Sequence, residues 1–274
     1  MQQEGRGLNV ELEAFYCADE QQQLSQLKMI ADIGAEKYSG VITYSFTQMP
    51  SILMQLQRLV TQGIVTMVID DEMNEPEGLI CTTANEKAVG CAAGELISLI
   101  TPETGTVLVS GGRKDSKAHR NKRQSLCDFL AEKKPGLTLV PVGEYNRGPD
   151  IERQNYQALC EALRKYPDTV ALCAMTSIDN LPMERAVRDL GLRDRIRILG
   201  IDLNGQTAQM LIENRIDAVV NQGAYQKGYQ AFKIVTDGVV KGLPLPNKTE
   251  CPIDIVLKSN LRFFKEVESC GIPK

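Results

Sequence analysis

The sequence predicts an α/β protein built of two lobes, each a mostly parallel sheet flanked by helices. Short β-branched apolar runs alternate along the chain with longer helical patterns, as in right-handed βαβ units. The 274 residues fit one large or two medium lobes. About ten runs are too many for one ordinary open sheet, which favours two lobes. No Gly-, Ser- or Pro-rich linker separates them, and we expect one lobe at 1–104 plus 223–250 and the other at 105–222 plus 251–274.

In the first part of the chain, apolar spacing predicts each element in turn. Leu8–Phe15 alternates apolar and polar residues with period two and predicts the first strand. Residues 19–36 place Leu24, Leu27 and Ile30 at helical spacing. Further strands are expected at Gly40–Tyr44, Ile64–Asp70 and Leu79–Thr83, and further helices at 48–62 and 86–99.

The same rhythm repeats after Pro102. Strands are expected at Gly105–Gly111, Leu137–Val142, Thr169–Met175, Ile196–Asp202, Asp217–Gln222 and Ile253–Leu257. Helices are expected at 116–133, 151–165, 180–190, 206–214 and 225–240.

Composition and motifs exclude several classes of protein. With 43% apolar and 24% charged residues the chain is neither collagen-like nor disordered. Its net charge of −4 gives no duplex-binding surface, and no apolar run is long enough for a membrane-spanning helix. No secretory signal is visible. The dinucleotide, P-loop and nucleophile-elbow motifs are absent, so we expect a non-enzyme without cofactor or metal.

The eight cysteines have two interpretations. None forms a C-x-x-C pair, and most lie in apolar stretches such as ALCAM. A disulfide framework is typical of short secreted chains, whereas scattered cysteines in a chain of this length fit small core residues in a reducing compartment. We favour the second interpretation.

A basic run surrounds the single histidine, His119. Its members are Arg113, Lys114, Lys117, Arg120, Lys122 and Arg123. The histidine could act as a base, but a solvated residue at a helix start is the simpler interpretation. The run could bind phosphate or nucleic acid. On an acidic chain it more often forms a charged helix face, and we expect Arg120 alone to turn toward a ligand.

Polar side chains follow the predicted strands where these end. They are Tyr44 and Ser45, Asp70 and Asp71, Gly111 and Gly112, Tyr145 and Asn146, Thr176 and Ser177, Asp202, and Gln222. Ligands of open parallel sheets bind beyond the carboxyl ends of the strands. Carboxylates, amides, hydroxyls and an aromatic ring suit a polyhydroxylated ligand, although loops that begin at strand ends are polar in any protein.

Several stretches resemble the type I periplasmic-binding-protein superfamily. GIDLNGQTAQMLIENRIDAVVNQGAYQKGYQAFKI has its strand ending in Gly-x-Asp, then Ile-Asp-Ala and a strand ending in Gln. QQQLSQLKMIADIGAEKYSGVI, TQGIVTMVIDDE, TTANEKAVGCAAGELI and SKAHRNKRQSLCDFL match in order and spacing. The resemblance spans about residues 7–260. It implies two Rossmann-like lobes with a ligand between them.

The resemblance assigns expected roles to five positions. Asp70 resembles the carboxylate of the first lobe that binds ligand hydroxyls, and Asp202 the central carboxylate of the second. Arg120 matches the arginine of the second lobe, Tyr145 its stacking aromatic ring, and Gln222 the glutamine at the hinge.

The chain also departs from the family pattern. Asp71 stands where the family often has Arg, and Thr176 with Ser177 replaces the usual Asn-Asp pair. Family members begin with a strand and a helix before the segment that matches 6–15, so we expect this first strand to be missing. Its loss would leave two unpaired strand edges.

Two functions follow from the resemblance. The first is the sugar-binding effector domain of a LacI-type transcription regulator, cytoplasmic and homodimeric, which would contact DNA only through a helix-turn-helix module absent from this chain. The visible lack of a signal and the cysteine pattern favour it. The alternative is the substrate-binding protein of an ABC sugar transporter, periplasmic or at the cell surface.

Overall fold

The structure is a computed structural model that describes residues 10–44, 49–70, 76–113, 116–144 and 150–270. Strands and helices alternate throughout these residues, which confirms the predicted α/β class. The helices are α1 (Glu20–Ile33), α2 (Pro50–Thr61), α3 (Glu86–Ile100), α4 (Lys117–Lys133), α5 (Ile151–Lys165), α6 (Asn180–Asp189), α7 (Gly205–Ile212) and α8 (Ala224–Lys241). The strands are β1 (Gly40–Tyr44), β2 (Val65–Ile69), β3 (Ile80–Ala84), β4 (Gly105–Ser110), β5 (Leu137–Val142), β6 (Thr169–Ala174), β7 (Arg197–Ile201), β8 (Ala218–Asn221), β9 (Lys248–Cys251) and β10 (Asp254–Val256).

The chain forms two compact units. The first holds the described residues up to Ala84 together with Tyr225–Cys251, and the second holds Asn85–Ala224 with the described residues from Pro252. The lobe boundaries expected from the sequence stay a prediction. They differ from this division chiefly at residues 85–104, which here pack with the second unit.

The first unit is a four-stranded parallel sheet in the order β1-β2-β3-β9. Alternation along β2 sends Val68 to one face and Met67 to the other. On the first face α1 and α2 pack their buried residues, Leu27, Ile30, Leu56 and Leu59. On the second face Ala231 and Val235 of α8 cover Met67 and Ile80. Helices on both faces exclude water from the sheet, as parallel strands require.

The second unit is a six-stranded sheet in the order β10-β8-β7-β6-β4-β5. Its strands run parallel, except that β10 pairs antiparallel with β8. Its core includes the fully buried residues Leu108, Leu126, Leu172, Ile198 and Val219.

Helices α3 and α4 of the second unit approach each other closely through two glycines. A Cβ at Gly90 would lie 2.2 Å from the carbonyl oxygen of Lys122, and a Cβ at Gly94 would lie 2.9 Å from the ring of Phe129. Only residues without a side chain allow this spacing. The position of the Lys122 backbone is therefore fixed by α3.

The expected strand at Leu8–Phe15 is wrong over the residues that the structure describes. Leu8 lies outside them, and residues 10–17 have no regular secondary structure. Phe15 packs against the core of the first unit, and Glu13 accepts hydrogen bonds of 2.8 Å from Lys37 and Tyr38. Leu12, in contrast, is 38% exposed, so the period-two pattern does not correspond to a buried face here. A strand also needs a free neighbouring edge, which the pattern does not report.

Among the described residues, no helix is both long and apolar enough to cross a membrane.

The cysteines of the described residues are free thiols. Seven cysteines there are free, and Cys81, Cys160, Cys173 and Cys251 are buried. Burial raises the pKa of the Cys173 thiol to about 12. This environment agrees with cysteines that serve as small core residues.

Candidate functional site

In the first unit the candidate site centres on Asp70, directly after β2. Its N–H donates to the carbonyl of Thr82 at 2.8 Å, so the ladder with β3 continues through this residue. Its backbone then turns into the left-handed region at φ 63°. The carboxylate is 39% exposed and forms an ion pair with the buried ammonium of Lys227 in the first turn of α8. One side of the carboxylate is therefore neutralised while another faces solvent.

The second unit repeats this arrangement at Asp202, directly after β7. The N–H of Asp202 donates to the carbonyl of Val220 at 3.0 Å, and φ is 60°. Its Oδ1 accepts a hydrogen bond of 2.7 Å from the side-chain amide of Gln222. Among the described residues, these two aspartates and Asn214 are the only non-glycine residues with a positive φ. Such strained positions cluster at functional sites.

Gln222 is held in turn by Lys122, a residue of α4. Lys122 is 2% exposed, and its Nζ donates to Gln222 Oε1 at 2.9 Å and to the Met175 carbonyl at 3.3 Å. Glu86 of α3 completes the set with an ion pair at 3.3 Å. We call Glu86, Lys122, Gln222 and Asp202 the Lys122 network.

Thr176 lies after β6 and serves as a cap. Its N–H and its hydroxyl both donate to Asp179 Oδ2 at 2.9 Å. Asp179 is fully buried, and its Oδ1 accepts a 2.6 Å hydrogen bond from Asn155. A Cβ at Gly111 would lie 1.9 Å from the same Oδ1, so the β4 loop closes over the carboxyl group. The carboxyl group thus fixes the backbone of Thr176.

The titration of Asp179 gives a pH-dependence that can be measured. Burial raises its pKa to about 7, above its ordinary 3.8, against the opposing hydrogen bonds from Thr176 and Asn155. Between these pH values the folded chain keeps a proton that the unfolded chain has released. The stability that this proton contributes is complete below about pH 4 and is lost as pH rises through about 7.

Asp179→Asn is expected to remove the loss of stability that deprotonation of Asp179 causes as pH rises. Urea unfolding at pH 5 and pH 8 should show the wild type losing about 2–4 kcal/mol more than the variant over that interval. Parallel changes in the two proteins would contradict the assignment.

The remaining predicted residues fall in different places. Arg120 lies exposed in the first turn of α4. Asp71 and Tyr145 lie outside the described residues. His119 accepts a 2.9 Å hydrogen bond from the Arg113 N–H through Nδ1, which ties the preceding loop to the helix start.

Sequence reasoning missed several polar residues of these sites. The sequence predicts Lys122 on a charged helix face, and this prediction is wrong because Lys122 is buried. Lys227 and Glu86 gave no local signal, since their partners are distant in sequence. Asp179 could have been found, because Thr-x-x-Asp at 176–179 is a capping-box pattern. Within the described residues no cluster of three or more His, Cys, Asp or Glu could hold a metal ion.

The two units of parallel-dominated sheets flanked by helices are those of the type I periplasmic-binding-protein fold. The family model of the periplasmic binding protein domain matches residues 2–241, and the chain belongs to this family. It is accordingly a non-catalytic binding protein.

Individual relatives are distant in sequence but similar in fold. The chain is 20% identical over 255 residues to the D-allose-binding periplasmic protein of Escherichia coli (strain K12), covering 90% of this chain and 80% of the relative. The crystal structure of a glucose-galactose binding protein from Geobacillus stearothermophilus has a TM-score of 0.80 at 22% identity, covering 95% of this chain and 90% of that chain. A periplasmic solute binding protein of an ABC transporter from Actinobacillus succinogenes, solved with bound D-allose, has a TM-score of 0.83 at 13% identity, covering 96% of this chain and 92% of that chain. At these identities the structures show the fold alone.

Proposed function

We propose that this chain binds a sugar or a related polyol as the substrate-binding component of an ABC sugar transporter. One observation carries the proposal. Each unit ends a buried parallel strand with an aspartate in the left-handed conformation, Asp70 in the first unit and Asp202 in the second. The strain is retained only where surrounding structure enforces it, and it turns a carboxylate out of each ladder at the strand end where ligands bind.

The chemistry of these groups favours an uncharged, hydroxyl-rich ligand. A carboxylate accepts hydrogen bonds from two neighbouring hydroxyls of a sugar, and such charge-assisted bonds are stronger than neutral ones. Asp70 has its charge balanced by Lys227, and Asp202 has one oxygen occupied by the amide of Gln222. Each carboxylate group is thus oriented by its neighbour before a ligand arrives, which lowers the cost of binding.

The relatives favour the transporter over the regulator. The sequence favours a LacI-type effector domain in the cytoplasm, but the relative from Escherichia coli is a periplasmic protein and the one from Actinobacillus succinogenes is a periplasmic solute binding protein of an ABC transporter. We therefore propose export to the periplasm or the cell surface. The homodimer and the contact with DNA stay predictions from the regulator hypothesis.

A thermal-shift screen tests sugar binding. The purified chain is melted with D-allose, D-glucose, D-galactose, L-arabinose, D-ribose, myo-inositol and, as non-sugar controls, L-amino acids. A ligand at 100 times its Kd should stabilise the fold by about 2.7 kcal/mol, a shift of a few degrees at this size. A cooperative melt that no sugar or polyol shifts would overturn the proposal.

A genetic experiment separates the two roles once a sugar is identified. Deletion of the gene is expected to abolish uptake of that sugar at micromolar concentration and to leave transcription of neighbouring genes insensitive to the deletion. Normal uptake with altered transcription would favour the regulator.

A further inference from the structure

The buried ammonium of Lys122 has three polar neighbours in the second unit. It donates hydrogen bonds to Gln222 Oε1 and to the Met175 carbonyl, and it forms an ion pair at 3.3 Å with the carboxylate of Glu86. An unpaired buried charge would be strongly unfavourable, so these contacts hold the side chain in place. They join two helices to the ends of β6 and β8.

The ammonium decides which end of the Gln222 amide faces Asp202. An ammonium can donate but cannot accept, so only Oε1 can face it, and Nε2 must then point the other way. Nε2 lies 2.7 Å from Asp202 Oδ1. A flipped amide would set two donors against each other and a carbonyl oxygen against a carboxylate. Lys122 thus excludes the alternative amide orientation.

The backbone of Lys122 is fixed independently of its side chain. Gly90 of α3 passes so close that a Cβ there would lie 2.2 Å from the Lys122 carbonyl oxygen. Glu86, one turn earlier on α3, supplies the negative partner. Arg120, two residues before Lys122 on α4, is exposed, because residues two apart lie on different sides of a helix.

We propose that Lys122 is a positioning residue for ligand binding, acting through Gln222 to fix the carboxylate of Asp202. The ammonium orients the amide, the amide occupies Oδ1 of Asp202, and the remaining acceptor sites of Asp202 are left in one orientation for ligand hydroxyls. This inference rests on the proposed sugar binding for its effect on affinity, while the orientation of the amide is a property of the free protein.

A double-mutant cycle tests the coupling. Affinity for the sugar that gives the largest thermal shift is measured by calorimetry for Lys122→Met, Gln222→Met and the double variant. Each single change is expected to raise the Kd by about tenfold or more. The Kd of the double variant should then lie within about twofold of the larger Kd of the two single variants. Losses that multiply would overturn the proposal.

A matched control uses another lysine of the same helix region. Lys134 follows α4 at its far end, and its Nζ contacts Glu103 and the Thr101 carbonyl. Lys134→Met should leave the sugar affinity unchanged. An equal loss in this variant would mean that removing any lysine here disturbs binding through the fold.

The free protein gives a second measurement. In ¹⁵N spectra the Gln222 side-chain amide, assigned by its absence in Gln222→Met, should exchange slowly in the wild type and broaden or shift in Lys122→Met. An unchanged amide would overturn the proposal. If Lys122→Met does not fold, the Glu86→Gln, Lys122→Met double variant removes both charges and replaces it. If no sugar binds the wild type, the proposed function fails. The amide spectra then still test whether Lys122 fixes the orientation of the Gln222 amide.

Discussion

Asp202→Asn is expected to weaken sugar binding by more than tenfold. Asparagine tolerates the left-handed backbone at this position and can still accept from Gln222, so the change chiefly removes the negative charge. A hydrogen bond to a charged group contributes about 1.5–3 kcal/mol, which corresponds to roughly 10- to 100-fold in Kd. Calorimetric titration with the sugar found in the thermal screen measures the loss.

Asp217→Asn is the matched control for this variant. Asp217 lies immediately before β8, at the opposite end of the sheet from Asp202, where it pairs with Arg193 and Arg197. The same chemical change there should leave affinity unchanged, even if it lowers stability. Unchanged affinity in Asp202→Asn, or equal losses in both variants, would show that Asp202 does not contact the ligand.

Gly90→Ala is expected to destabilise the second unit by about 2 kcal/mol or more, since an added methyl group would force α3 and α4 apart. The clash is with backbone, 2.2 Å from the Lys122 carbonyl oxygen, so no side chain can rotate away. In an uncrowded helix the same change would stabilise the protein by about 0.5–1 kcal/mol through helix propensity. The sign of the change in the free energy of unfolding, measured with urea, therefore reports whether α3 and α4 are in close contact at Gly90.

Gly191→Ala serves as the comparison. A Cβ at Gly191 meets nothing within 4 Å, and only its φ of 67° opposes the substitution. We expect a loss of about 1 kcal/mol, the cost of a left-handed conformation for a residue with a side chain. A Gly90→Ala protein more stable than the wild type would contradict the close approach of α3 and α4.

Much of the fold could be predicted because buried parallel strands have a strong local signal. Gly40–Tyr44, Leu137–Val142 and the helix at 151–165 coincide with their predictions. β9 was missed because Lys248–Cys251 is short and polar, and its strand character comes from pairing with β3. Residues 10–15 have the alternation of a strand without regular secondary structure, since pairing depends on which edge is free.

The candidate site was predictable at its carboxylates and not at the groups that hold them. Asp202 and Gln222 follow apolar runs, so their proximity at one edge of the sheet follows from parallel topology. Lys122 has basic neighbours on both sides, and composition alone places it on the surface. Its burial comes from the close approach of Gly90 and from the ion pair with Glu86, both of which are tertiary contacts that the local sequence does not show.

A crystal structure of the chain grown with the sugar from the thermal screen tests the central claim most directly. The account predicts sugar hydroxyls within hydrogen-bond distance of the Asp202 carboxylate, with the Gln222 amide still donating to Oδ1. A sugar bound away from Asp202, with this carboxylate contacting only solvent and Gln222, would contradict it.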